Sequence, residues 1–113
     1  MSNTWSYQET SWVEGGDLVG YDVEATDGSI GKVDEATYES GAGRMVVDTG
    51  FWIFGKKRLI PAGAVTRVDH ADRKVTVNMT KDQIKSAPDY DETSQWNDET
   101  RSRYSDYYDR YSW

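Results

Sequence analysis

The 113-residue chain contains no cysteine, which excludes a disulfide scaffold, a thiolate metal site and a cysteine nucleophile and leaves its redox compartment open. Bases are scarce relative to acids: 13 Lys and Arg stand against 20 Asp and Glu, a net charge of -7. That balance repels phosphate backbones, so nucleic acid is not the expected partner. No apolar run approaches the roughly 20 residues that cross a bilayer. No basic segment followed by an apolar one opens the chain, so cytoplasm is the expected location. Phenylalanine is rare too, at 2 residues against 5 Trp and 8 Tyr. Most of the aromatic area therefore lies on rings with a polar atom, which suit half-buried positions and interfaces.

What is present is a series of short strand patterns. Val19, Tyr21 and Val23 alternate with Gly20, Asp22 and Glu24, the period of a strand. Asp27-Gly28 supplies a tight turn, and Ile30, Val33, Ala36 and Tyr38 follow with broken parity, which predicts a bulge near Gly31. Residues 44–61 hold two apolar runs, Met45-Val46-Val47 and Leu59-Ile60, joined by an aromatic segment with Gly50 and Gly55. They read as neighbouring strands. Further strands are expected from Val65 to Asp69 and from Val75 to Met79. Thr80-Lys81-Asp82-Gln83 has the form of a capping box, so a short helix should start at Lys81, bury Ile84 and end before Pro88.

The expected fold is all-β: a small, closed or partly open antiparallel barrel of about six strands with a short capping helix. Residues 1–16 read as a flexible leader, with an aromatic strap across the barrel or onto a second subunit as the alternative. Residues 17–90 form the barrel domain and 91–113 an acidic, aromatic tail. The domain carries 12 acids and 10 bases, so most of the negative charge belongs to the two ends.

Catalytic and metal chemistry find little support. His70 is the one histidine, in an expected turn beside Asp69 and Asp72, and no nucleophile-elbow motif accompanies it. Neither a calcium-loop pattern nor a phosphate-binding glycine loop occurs. No catalytic residue, metal or cofactor is expected.

Taken together, Gly20-Tyr21-Asp22-Val23, Asp27-Gly28-Ser29-Ile30-Gly31-Lys32-Val33, Val46-Val47-Asp48-Thr49-Gly50, Gly55-Lys56-Lys57-Arg58-Leu59-Ile60-Pro61 and the closing 77–88 segment resemble the PRC-barrel family. That family is named from the photosynthetic reaction-centre H subunit, and its barrel is shared with the C-terminal domain of a bacterial ribosome-maturation factor. The resemblance implies an adaptor-like barrel that docks proteins, often standing alone in bacteria, with no shared active site.

Two stretches carry the interaction expectations. Phe51, Trp52 and Phe54 either fold into the barrel mouth or form an interface core rimmed by cations. Tyr104, Tyr107, Tyr108 and Tyr111 recur at helical spacing, a stripe that should pack on the barrel or on a second subunit, with a homodimer the expected assembly. The expected protein contacts are Phe51, Trp52, Phe54, Tyr104, Tyr108 and Tyr111, to a partner of unknown identity. Lys56, Lys57 and Arg58 beside the rings form the alternative, an RNA- or ribosome-contacting patch.

Overall fold

Alternating burial along short segments builds the sheet in the computed structural model, which describes residues 4–8, 17–39, 41–50, 57–88, 90 and 95–111. The strands are β1 (Asp22–Ala25), β2 (Gly28–Thr37), β3 (Arg44–Asp48), β4 (Lys57–Pro61), β5 (Val65–Asp69) and β6 (Lys74–Val77). Among the described residues two helices follow, α1 (Lys81–Lys85) and α2 (Asp98–Tyr108). The order across the sheet is β4-β3-β2-β1-β6-β5. β4 and β5 are thus the two edges, yet only the 3-10 turn Ala62–Ala64 separates them in the chain. A sheet whose edges are joined by three residues has to curl until they meet at that junction, which makes a barrel open along one seam.

The sheet is mixed rather than antiparallel throughout, because β1 and β6 run parallel. Hairpins reverse the chain from β1 to β4, but the 3-10 turn passes it from edge to edge without a hairpin. The alternation of strand direction slips there, and β6 returns alongside β1 in the same sense.

Bending is concentrated in β2. Ile30 is an extra residue opposite β1, beside Gly31 as expected, and Asp34 is another opposite β3. Such bulges sharpen the twist a small barrel needs. Inside, Val23, Ile30, Val33, Met45, Val47, Ile60, Val65, Val75 and Val77 are almost wholly buried and fill the barrel with aliphatic side chains, while Leu59, on the other face of β4 with Lys57, is buried as well. α1 carries both bonds of its capping box, Thr80 with Gln83, and its first N–H donates to Asp27 at 2.9 Å. That contact ties α1 to the β1–β2 turn, and Ile84 is buried. Val19 departs from its expected inward face: it precedes β1 in a turn and is 42% exposed.

The outer wall carries an ordered row of charge. Lys57, Asp48, Lys32, Asp22, Lys74 and Asp69 are successive cross-strand partners through all six strands, with alternating sign. Lys32 and Asp22 pair at 3.0 Å, and Lys74 reaches Glu24 at 3.5 Å. Each exposed pair contributes only about 0.2–1 kcal/mol. The row favours one register and keeps this wall hydrated.

Candidate interaction surface

The two ends of the chain close over the barrel together. Residues 4–8, expected in a flexible leader, instead form the strap: the Gly43 N–H donates to the Trp5 carbonyl at 2.7 Å and the Gly63 N–H to that of Thr4 at 2.8 Å. Trp5 is 3% exposed, and its indole donates to Ser105 on α2 at 2.9 Å. Trp96 sits edge-on to Trp5 and stacks on Tyr104, while the Arg44 guanidinium lies 3.9 Å from the Trp96 ring centre. The Thr4 hydroxyl donates to Asp109 at 2.5 Å, across 105 positions of sequence. Sequence reading had one signal for this clasp, the isolated Trp5 and Tyr7 in a polar leader.

α2 begins where the Asn97 side chain accepts from the Thr100 N–H. Tyr104 and Tyr108 then point into the protein, 1% and 0% exposed. The Tyr108 hydroxyl donates to the Leu59 carbonyl of edge strand β4 at 2.5 Å, and that of Tyr107 donates to the Gln83 carbonyl. This corrects the expectation that Tyr104 and Tyr108 contact a partner: an edge-strand carbonyl wants a donor, and the chain's own helix supplies it. Tyr111 is half-buried, its hydroxyl 3.3 Å from that of Tyr107.

The expected basic patch is dispersed. Arg58 is 4% exposed and donates to the Lys85 carbonyl at 3.0 Å, closing the negative end of α1. Its neighbour Lys57 points outward to Asp34 at 2.8 Å, because adjacent strand residues face opposite ways. Lys56, Phe51, Trp52 and Phe54 lie outside the described residues. They belong to the link between Asp48 and Lys57, which stand opposite each other in register.

His70 is held by Tyr21, whose hydroxyl lies 2.8 Å from Nδ1. Among the described residues, no three His, Asp or Glu side chains gather as a metal site, and no helix is long and apolar enough to cross a membrane.

Buried hydroxyls give the protein an alkaline signature. Burial, reinforced by the Asp17 contact at 2.5 Å, pushes Tyr38 up to about 12 from an ordinary 10.0. Burial and the Tyr111 hydroxyl push Tyr107 to about 12 as well. Tyr7 and Tyr108 move the same way, chiefly through burial. The Tyr38 hydroxyl in turn holds the exposed Asp17 carboxyl below its usual range. Because these phenols keep their protons longer when folded, their contribution is complete below pH 10 and is lost as pH rises toward about 12. Urea midpoints should therefore fall across this window, with the tyrosinate absorbance of these four rings appearing in step with unfolding. Phenolate absorbance equivalent to all 8 tyrosines, appearing near pH 10 in a protein that stays folded, would contradict the burial of these rings.

No known family and no curated protein matches the chain. Among solved structures it is similar to one described as a 16S ribosomal RNA processing protein, RimM, of Pseudomonas aeruginosa, with 21% identity and a TM-score of 0.49. The likeness covers 66% of this chain and 49% of that one, so the chain spans about half the length of that protein.

Proposed function

We propose that the chain is a non-catalytic, self-associating interaction module of the PRC-barrel type, working in the cytoplasm and binding another protein through Phe51, Trp52 and Phe54. The observation that carries this reading is the filled interior: nine aliphatic side chains from all six strands occupy the barrel, each no more than 2% exposed. A barrel packed in this way acts through its surface. Its outer wall is a neutralised row of charge, and Tyr104 and Tyr108 are spent on the core. The aromatic link between β3 and β4 then becomes the stretch best suited to contact a protein, since interfaces concentrate Trp and Phe at their centres.

The test is replacement of Trp52 and Phe54 together with Ser, followed by affinity purification from the native cell and a thermal melt of the pure protein. Loss of the captured partner with an unchanged melting temperature is expected. An unfolded variant would assign both rings to the core and end this reading. The competing reading, RNA or ribosome association through Lys56, Lys57 and Arg58, is weakened by the inward course of Arg58. Binding to RNA that collapses steeply with added salt would restore it.

A further inference from the structure

The two sheet edges are treated differently. Tyr108 covers β4 through the Leu59 carbonyl. On β5, among the described residues, no hydrogen bond reaches the backbone of Arg67, Val68 or Asp69 from the side away from β6. A bare edge is a template for another strand.

Three observations specify which strand fits. The register shift leaves Thr66 as the extra residue of β5, and the turn begins at His70, so the regular edge is Arg67-Val68-Asp69 with Val68 at its middle. Arg67 and Asp69 share the outer face, 3.7 Å apart, with the Arg67 side chain 73% exposed. Val68 is half-buried against the core. In an antiparallel pairing of this edge with itself about Val68, Arg67 of each copy stands opposite Asp69 of the other, and the two valines meet. The alternating row on the outer wall ends at Asp69, where the next partner in sign is a base. A second copy supplies it.

We propose that β5 is the self-association edge of this protein, pairing antiparallel with β5 of a second copy about a twofold axis at Val68. This rests on the self-association proposed above and gives it an interface. The regular edge is short, so the dimer is weak and concentration-dependent, of the kind small interfaces form.

Charge reversal tests it by sedimentation across a concentration series. The Arg67→Asp chain carries two acids on this edge and the Asp69→Arg chain two bases, so each should self-associate roughly tenfold more weakly or worse. An equal mixture of the two should recover dimer, since acids then face bases at both positions. Damage to the fold alone is not repaired by mixing, and a thermal melt of each variant checks it directly. A wild-type dimer indifferent to both changes, or a mixture that stays monomeric, would overturn the β5 interface and leave self-association standing elsewhere. A wild-type protein monomeric at every concentration would remove both.

Discussion

Tyr108→Ala is expected to destabilise the protein by about 3–5 kcal/mol, the range for deleting a fully buried aromatic side chain. The ring is 0% exposed, and its hydroxyl serves the Leu59 carbonyl on an edge strand. Tyr108→Phe separates these contributions: it keeps the packing and withdraws the donor, and should cost about 1–3 kcal/mol for a buried carbonyl deprived of it. Urea unfolding curves measure both. The larger loss also reaches the other end of the chain, because α2 holds Trp5 and Thr4 through Ser105 and Asp109. A shifted Trp5 indole N–H resonance in Tyr108→Ala, reporting loss of its bond to Ser105, would show that the strap loosens with the helix. A cost below about 1 kcal/mol, typical of surface changes, would mean that α2 does not seal the barrel.

Gly31→Ala is the second large effect. A Cβ at Gly31 would lie 2.0 Å from the Asp48 carbonyl oxygen and 2.9 Å from its carbon, with φ at +148°. Both obstacles are backbone, so no side chain can swing aside, and β2 must part from β3 beside the Ile30 bulge. Strain and overpacking together should cost about 3 kcal/mol or more. Gly50→Ala is the control: φ is +65° and nothing among the described residues lies within 4 Å of the added carbon. There only the left-handed conformation is penalised, at about 1 kcal/mol. Thermal melts of the two variants should differ accordingly. Equal, small shifts would show that β2 and β3 do not approach so closely at Gly31.

The contrast between Gly31 and Tyr108 also marks how far the chain could be read before folding. The broken parity around Ile30 and Val33 was enough to expect a bulge, and Thr80 with Gln83 was enough to start α1, because both depend on neighbours a few positions away. The aromatic stripe on α2 was legible as well, with its destination open between the barrel and a second subunit. Arg58 is the clearest miss among the expected site residues. In sequence it completes a basic triplet, yet as the inward neighbour of Lys57 it closes α1 from below the surface. Strand alternation already implied that consecutive bases cannot share a face, and this was the signal available.

Composition and period alone determined the strand-rich class, the capped helix and the aliphatic residues that would be enclosed, since each follows from spacing within one segment. Only the tertiary structure decided that β6 returns parallel to β1, that Trp5 and Trp96 close the barrel together, and that Tyr104 and Tyr108 serve the interior. Those outcomes depend on partners as far apart as Thr4 and Asp109. Whether a ring is core or surface is settled by what the rest of the chain brings against it, and local pattern carries no information about that.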